Sequence, residues 1–314
     1  MNLKNPGGNH TMRTHALRRT FVALLAASAV TALVPAMATP AAAAGPGECR
    51  NSTGGVIAEI GPGQRLESGA RLADKVSRTE LVMQPDGNLV LYALGNPGGY
   101  DLPLWNSGTY GNPGAYALMQ EDGNFVIYKQ GGGPQTGGGI WHTATYGTRT
   151  DWRPKAYLVG GEFAVDGRGN SAAGQRWTSR TVERQNQLCS DFEGAGYAWG
   201  SGNWAQSATV WLVLQQDNNL VMYRKRDGKA IWNSGTYGGS QRVTLQMLYK
   251  DRGDLTIANA SLNNDGAVRW RTYTGGNPDA WALLQDDGNF VVYKKTGGPG
   301  KGGALWNSGT YNKI

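Results

Sequence analysis

The heptapeptide LWNSGTY at residues 104–110 returns unchanged at residues 305–311 and as IWNSGTY at residues 231–237. Weaker copies surround three further tryptophans. The six tryptophans form two sets of three, with spacings of 36, 36, 38 and 36 residues and a gap of 55 residues between the sets: Trp105, Trp141, Trp177, Trp232, Trp270 and Trp306. A fixed period of this size indicates a repeat architecture. The sequence therefore predicts two domains, each built from three similar units.

The composition after residue 44 is typical of an all-β protein. Short apolar runs with a period of two are separated by Gly, Asn and Pro, and only 17% of all residues are charged. A period of two indicates strands that are buried on one face, and a helical period is hard to find here. We expect the six repeated tryptophans to fill the core where three sheets meet, rather than to line a ligand site.

The first 44 residues have the pattern of an export signal. Arg13, Arg18 and Arg19 precede an apolar run at residues 21–34, and a run of alanines follows. A basic segment, a short apolar segment and small residues before a cleavage point are the features of a secretory signal peptide. The apolar run is too short to be a strong membrane span. We therefore expect cleavage after residue 44, secretion, and no insertion into the membrane.

Removing this leader takes away four basic residues and no acidic ones, so the formal net charge falls from +7 to +3. The remaining basic residues form no stripe, which argues against a nucleic-acid partner. The densest basic cluster, Arg224-Lys225-Arg226, is predicted to be a solvated loop after a strand.

The mature chain of about 270 residues divides by its repeats into residues 45–182 and residues 183–314. Its two cysteines, Cys49 and Cys189, fall near the starts of these two parts. In an oxidising compartment one disulfide is the default expectation, and two unpaired thiols are the alternative.

A second motif precedes the tryptophan motif in four units: QPDGNLVLY (84–92), QEDGNFVIY (120–128), QQDNNLVMY (215–223) and QDDGNFVVY (285–293). Five alternating positions are Gln, Asp, Asn, Val and Tyr in every copy. The positions between them vary, and even Pro85 and Gly87 are replaced in other copies. Because a turn would depend on Pro and Gly, the variation favours a strand whose five alternating side chains face one way.

The two remaining units keep their tryptophan but have lost the alternating set. The replacing residues are Leu158, Gly160, Glu162, Ala164 and Asp166 in one unit and Lys250, Arg252, Asp254, Thr256 and Ala258 in the other. Loss of the set without loss of the repeat predicts that the set is not needed for folding. We expect no ligand site on these two units.

Two amides, a carboxylate, a small apolar group and a phenol make a ladder of donors and acceptors. Alternate residues of a strand lie roughly 6.5 to 7 Å apart, so the ladder matches about one sugar ring and its hydroxyls. Vicinal hydroxyls need paired donors and acceptors, and a carboxylate is the strongest acceptor among them. Calcium is the competing ligand, but each copy has one carboxylate and lacks the calcium-loop pattern. The sequence therefore predicts no metal and no cofactor.

The spacing Q-x-D-x-N-x-V-x-Y resembles the signature of the bulb-type (monocot) mannose-binding lectins, over roughly residues 50–314. The resemblance implies a tandem two-domain member with two β-prism II domains, each of three antiparallel four-stranded sheets around a pseudo-threefold axis. It also implies that Gln, Asp, Asn and Tyr hydrogen-bond an α-mannose while Val contacts its ring. The sites so implied are Gln84, Asp86, Asn88, Val90 and Tyr92; Gln120, Asp122, Asn124, Val126 and Tyr128; Gln215, Asp217, Asn219, Val221 and Tyr223; and Gln285, Asp287, Asn289, Val291 and Tyr293.

The chain departs from this family in two places. The usual disulfide of the family lies within one domain, whereas the two cysteines here fall in different halves. Residues 182–210 fit the repeat poorly, and we expect them to contain a linker and the first strands of the second domain.

These observations predict a secreted lectin that binds mannose-containing glycans or polysaccharides at several sites, and they leave a monomer and a homodimer both open. A lectin-like bacteriocin or an antifungal protein with the same sites is an alternative. A mannan-active glycoside hydrolase is the alternative from another class, but the repeated carboxylates occur once per unit rather than as a facing pair. His142, the only histidine after the leader, stands where sister copies have asparagine, so it is predicted to be a surface variant and not a base.

Overall fold

The computed structural model describes residues 58–148, 153–168, 175–189, 198–248, 253–260 and 266–314. Residues Ala44–Ile314 form one compact unit. The predicted signal peptide and Cys49 lie outside the described residues. Every regular element of the described part is a β-strand, and none of it forms a helix that could cross a membrane.

The first half of the chain forms three four-stranded antiparallel sheets, named here sheets I to III. Sheet I contains β3 (Arg71–Asp74), β4 (Thr79–Met83), β5 (Leu89–Ala93) and β6 (Leu102–Asn106). Sheet II contains β2 (Arg65–Leu66), β7 (Tyr116–Met119), β8 (Phe125–Gly133) and β9 (Gly137–His142). Sheet III contains β1 (Ala58–Ile60), β10 (Lys155–Val159), β11 (Glu162–Gly167) and β12 (Gln175–Thr178).

The second half repeats this arrangement in sheets IV to VI. Sheet IV contains β15 (Trp204–Gln206), β16 (Val210–Leu214), β17 (Leu220–Arg224) and β18 (Ala230–Asn233). Sheet V contains β14 (Trp199–Gly200), β19 (Val243–Leu248), β20 (Asp254–Asn259) and β21 (Val268–Arg271). Sheet VI contains β13 (Gln187–Cys189), β22 (Trp281–Leu284), β23 (Phe290–Gly298) and β24 (Gly302–Asn307).

Each sheet combines three consecutive strands with one short edge strand from the start of its half. The edge strands lie within residues 58–74 in the first half and within residues 187–206 in the second. In both halves the first edge strand joins the last sheet and the third edge strand joins the first sheet. This confirms the predicted fold class: all-β, with two successive β-prism II arrangements of three four-stranded antiparallel sheets. The poorly fitting segment supplies the edge strands of the second half.

The repeated tryptophans meet in the core, as predicted. In the first half Trp105, Trp141 and Trp177 contact one another edge to face, with ring centroids 5.3 to 5.6 Å apart. The corresponding distances among the three tryptophans of the second half are 5.4 to 5.9 Å. Edge-to-face contact is a favoured geometry for aromatic rings. One indole from each sheet therefore closes the centre of each half.

The QPDGNLVLY stretch is a turn as well as a polar face, so the prediction of a continuous strand is wrong for its first half. The Gly87 amide donates to the Gln84 carbonyl at 2.9 Å, and the same bond recurs in the other three copies at 3.0 to 3.1 Å. Gly87 has a φ of +92°, and Asn218 replaces it with a φ of +76°. Asn tolerates this left-handed backbone better than most residues, which is why the substitution preserves the turn.

The two halves meet through an apolar cluster in which Ala93 and Leu102 pack with Trp204, Trp211 and Val213. The first two belong to sheet I and the last three to sheet IV. The cluster therefore joins a hairpin of sheet I to the outer face of sheet IV.

A buried polar chain lies at this junction, and it contradicts the prediction that the basic cluster is solvated. Lys225 is 2% exposed, and its Nζ donates to Gln206 Oε1 at 2.7 Å. Gln206 Nε2 donates to Glu183 Oε1 at 2.7 Å. Burial lowers the pKa of Lys225 to about 8 and raises the pKa of Glu183 to about 7. The loop between β5 and β6 contacts the backbone of Lys225, whose carbonyl accepts from the Tyr100 amide at 3.0 Å.

Candidate functional site

The alternating set occupies the same place on four sheets, from the turn before the third strand into that strand. We name the copies site 1 on sheet I, site 2 on sheet II, site 3 on sheet IV and site 4 on sheet VI. In each site Gln, Asp and Asn belong to the turn segment and only Val and Tyr to the strand. The structure therefore brings the five predicted residues of each copy together. Three of them lie in a hairpin turn, and two lie in the strand that follows it.

The first and last residues of the set are joined by a hydrogen bond. Gln84 Nε2 donates to the Tyr92 hydroxyl at 2.8 Å, and the equivalent bonds of sites 2, 3 and 4 measure 2.8, 2.7 and 3.0 Å. No described residue bonds the Oε1 atom of these glutamines. Because the phenol oxygen accepts, its own proton remains available to a ligand.

The aspartate fixes the turn with one oxygen. Asp86 Oδ1 accepts from the Asn88 amide at 2.9 Å, and the three other copies repeat the bond at the same distance. Within the described residues the second carboxylate oxygen has no hydrogen-bond partner in any copy. Each site thus presents one charged, uncommitted acceptor.

The asparagine has a structural role that the sequence did not reveal. Asn88 Oδ1 accepts from the Ser107 hydroxyl and from the Thr109 amide, each at 3.1 Å. The other three asparagines make the same pair of bonds, at 3.0 to 3.3 Å. Only the Nδ2 donors of the four asparagines remain uncommitted among the described residues. One end of each asparagine therefore holds the fold and the other faces the site.

The partners of the asparagine belong to a hydroxyl pair that we call the latch. The six latches are Ser107 and Thr109, Thr143 and Thr145, Ser179 and Thr181, Ser234 and Thr236, Thr272 and Thr274, and Ser308 and Thr310, with hydroxyl oxygens 2.6 to 2.8 Å apart. The second residue of every latch is a threonine, and its hydroxyl also donates to a backbone carbonyl of the turn at 2.6 to 2.9 Å.

The latch has a clear signal in the sequence. The pattern Trp-x-[Ser/Thr]-x-Thr is present in all six units, including the two that lost the alternating set. The serine and threonine residues of this pattern were missed from the sequence, because a role was assigned only to its tryptophan.

The tyrosines act as neutral donors. Burial raises the pKa of Tyr92, Tyr128, Tyr223 and Tyr293 above the ordinary value of 10, although the glutamine hydrogen bond opposes the shift. A raised phenol pKa keeps the proton in place at neutral pH. The negative charge of each site therefore resides on its aspartate.

The four sites share their polar groups but differ in the residue opposite the tyrosine on the neighbouring strand. That residue is Glu80 in site 1, Tyr116 in site 2, Trp211 in site 3 and Trp281 in site 4. The valine of each set is 3 to 6% exposed, so it offers a ligand little surface. Of the four opposite residues, Tyr116, Trp211 and Trp281 are at most 5% exposed, so only Glu80 of site 1 offers a ligand appreciable surface.

Sheet III has replaced the polar set with ion pairs. Arg176 lies 3.4 Å from a Glu162 oxygen and 3.8 Å from an Asp166 oxygen. Burial, with a hydrogen bond to Asp166, raises the pKa of Tyr157 to about 12. The two carboxylates that stand in the former site are engaged by an arginine of the same sheet.

Sheet V also lacks the polar set, but a carboxylate replaces the asparagine and keeps the hydrogen bonds to the latch. Asp254 stands at the asparagine position, is fully buried, and accepts from the Thr272 hydroxyl and the Thr274 amide at 3.0 Å. Its other oxygen forms an ion pair with Arg271 at 2.5 Å. Lys250 and Arg252, two of the replacing residues, lie outside the described residues.

Two other predicted features can be located. His142 is exposed, and its Nδ1 accepts from the Ala144 amide as Asn106 Oδ1 accepts from the Gly108 amide, so it is a surface variant as predicted. Cys189 is disulfide-bonded. The sequence has one other cysteine, Cys49.

No group of three or more His, Cys, Asp or Glu residues within the described ranges could hold a metal ion.

No protein-family model matches the chain, and no curated protein matches it. Similar solved structures include monocot mannose-binding lectins from Gastrodia elata, at 28% identity over 40% of this chain and 98% of that chain, with a TM-score of 0.31. A two-domain lectin from Scilla campanulata is 22% identical over 78% of this chain and 94% of its own, with a TM-score of 0.29. The snowdrop (Galanthus nivalis) mannose-specific agglutinin, complexed with methyl-α-D-mannoside, is 23% identical over 45% and 96%, with a TM-score of 0.27. TM-scores this low leave the assignment of function to the sites themselves.

Proposed function

We propose that this chain is a secreted lectin without enzymatic activity that binds α-mannose residues of glycans at sites 1 to 4. Residues 45–182 and 183–314 would be its two lectin domains, each with two sites. The observation that carries the proposal is that the same four polar groups are uncommitted in every site. They are the glutamine Oε1, the aspartate Oδ2, the asparagine Nδ2 and the tyrosine hydroxyl proton.

Two acceptors and two donors match the hydroxyls of a sugar, since each hydroxyl both donates and accepts. The aspartate oxygen would accept the strongest bond because it is charged. The bonds within the set hold these groups in place before the sugar arrives, so little side-chain freedom is lost on binding. We propose mannose as the sugar because the Q-x-D-x-N-x-V-x-Y set, complete in four copies, resembles the signature of the bulb-type mannose-binding lectins.

Glycoside hydrolysis fits the sites poorly. Hydrolysis generally requires two carboxyl groups about 5 to 9.5 Å apart across one sugar. Each site holds one aspartate from the set, and the four aspartates stand on four different sheets. The additional carboxylate at site 1, Glu80, forms an ion pair with Arg71 at 2.8 Å. We therefore expect the protein to release no reducing ends from mannan.

Each site offers a sugar only four uncommitted polar groups, so a single mannose should bind weakly. Four sites on one chain raise the effective concentration of a glycan that already occupies one of them. We expect mannose-rich polymers to bind much more tightly than methyl α-mannoside. Tight binding of the free monosaccharide at a single site would contradict this expectation.

A glycan array tests the proposal, with the mature protein beside a variant in which Asp86, Asp122, Asp217 and Asp287 are changed to Ala. We expect the variant to remain folded and to lose the mannose signal. A charge-matched control changes four carboxylates outside the sites to Ala, namely Glu59, Glu67, Asp166 and Asp279, and should keep the signal. Unchanged mannose binding by the site variant would overturn the proposal.

A further inference from the structure

The loop between β5 and β6 of sheet I lies against sheet IV. The Tyr100 amide donates to the Lys225 carbonyl at 3.0 Å, and Asn96 Nδ2 donates to the Ala208 carbonyl at 3.1 Å. On either side of this loop, Ala93 and Leu102 pack into the apolar cluster against which Tyr223 also lies. A loop that leaves the site 1 strand is therefore fixed beside the strand of site 3.

Tyr100 lies flat on the turn between β17 and β18. A Cβ built on Gly228 would be 2.4 to 2.6 Å from three consecutive ring carbons, Cγ, Cδ1 and Cε1. Such similar short distances place Gly228 over a face of the ring and not at its edge. Tyr100 is nevertheless 42% exposed. The covered face rests on glycine, and the exposed surface of the ring is turned away from it.

The backbone of Tyr100 lies beside the ends of two site strands. A Cβ built on Gly95, three residues after the last residue of site 1, would be 2.0 Å from the Tyr100 carbonyl oxygen. The Tyr100 amide bonds Lys225, two residues after the last residue of site 3. Tyr92 ends site 1, on the strand that enters the loop, and Tyr223 ends site 3, on the strand that enters the Gly228 turn. The electrostatic influence of Tyr100 reaches both, since it contributes to the raised pKa of Tyr92 and of Tyr223. Burial is the larger cause in both cases. Tyr100 therefore stands beside the ends of both site 1 and site 3.

Sites 2 and 4 have no such residue on the corresponding hairpin. Their hairpins continue as long strands, and residues 129–139 and 294–304 contain no aromatic residue. The loop between β5 and β6, which carries Tyr100, is therefore found only beside the pair of sites at the junction of the two halves.

We propose that Tyr100 forms an additional sugar subsite shared by sites 1 and 3, on which the second residue of an α-linked mannose oligosaccharide lies. The inference rests on the proposed function, because the first residue must occupy one of these sites. A phenol ring offers an apolar face for the C–H groups of a pyranose and a polar tip for its hydroxyls. The subsite would make this pair of sites prefer oligosaccharides to single sugars.

Isothermal titration of methyl α-mannoside and of an α-linked mannobiose tests the subsite. The background carries Asp122→Ala and Asp287→Ala, so that sites 1 and 3 dominate the signal. Tyr100→Ala should lower the ratio of disaccharide to monosaccharide affinity about three- to tenfold. Gly228→Ala, which displaces the ring without removing it, should lower the same ratio. Tyr311→Ala, at a tyrosine that is 63% exposed beside the inactivated site 4, is the matched control and should leave the ratio unchanged.

The outcomes separate the two proposals. If the unchanged protein binds neither sugar, the proposed function fails and the subsite fails with it. If the background protein binds both sugars and Tyr100→Ala leaves their ratio unchanged, only the subsite is overturned. An equal loss of both affinities would also overturn it, because Tyr100 would then support the sites instead of contacting the second sugar.

Discussion

Sheets I and III are built alike, yet only sheet I carries a site. Both have a central tryptophan and a hydroxyl latch bonded to the turn. In sheet I the outward oxygen of Asp86 has no partner among the described residues, whereas in sheet III the carboxylates Glu162 and Asp166 are engaged by Arg176. The difference shows that a site requires polar atoms without an intramolecular partner, and that polar residues alone are not sufficient.

Sheet V extends the comparison. Its latch bonds a buried carboxylate, Asp254, in place of the asparagine amide, and Arg271 balances the charge. The latch therefore bonds either an amide or a carboxylate oxygen at this position, and in sheet III it forms without such a bond, since Thr181 still donates to the Gly161 carbonyl. What the two vacant sheets lack is the outward donors and acceptors.

The largest expected effect concerns this buried carboxylate. Asp254→Ala removes an acceptor that bonds Thr272, Thr274 and Arg271, so we expect a loss of about 3 to 5 kcal/mol of unfolding free energy. Asp86→Ala, at the exposed aspartate of site 1, should cost less than about 1 kcal/mol. Urea denaturation of both variants measures the difference. Equal losses would show that the two aspartates do not differ in role.

A smaller effect is expected at the latch. Thr109→Val in sheet I and Thr181→Val in sheet III each remove a hydroxyl bonded to a buried carbonyl, and each should cost about 1 to 3 kcal/mol. Thr136→Val, at an exposed threonine, should cost less than about 0.5 kcal/mol. Thr109→Val should also weaken binding at site 1, since Asn88 loses its anchor. A stability cost in sheet I alone would contradict a structural role common to all six latches.

The smallest expected effect is a pH-dependent loss of stability at the junction of the two halves, without a change in mannose binding at the sites. Burial raises the pKa of Glu183 from 4.5 to about 7, so its contribution to stability is complete below pH 4.5 and is lost as the pH rises through 7. Glu183→Gln should flatten this decline by about 1 kcal/mol, measured by thermal or urea denaturation between pH 4.5 and 8. Mannose affinity should stay constant from pH 6 to 8, across the decline in stability, because the site tyrosines remain protonated there. Its decline in parallel with stability would link the sites to the junction.

The sequence predicted the repeat, the two sets of three sheets and the tryptophan core because each rests on a periodic pattern. It misjudged the turn, since it treated the replacement of Gly87 by Asn218 as evidence against one. Both residues adopt positive φ, and a pattern of residue names does not show that they share this ability.

The burial of Lys225 could not be predicted, because its partner Gln206 lies against the Ser77 carbonyl, more than 120 residues earlier in the chain. The same holds for Tyr100, which has no counterpart in the other units. The five positions of each site were identified by comparing copies. The atoms already committed to the fold became visible only from the hydrogen bonds of Asn88 and its equivalents.

The latch separates the positions that hold a unit together from those that display chemistry. Its hydroxyls and the tryptophan lie on the inner side of the motif, so substitutions on the outer side leave them in place. A duplicated unit can therefore lose one specificity, or acquire another, while its neighbours keep theirs. The vacant faces of sheets III and V are natural places to graft a new recognition surface onto a chain that already folds.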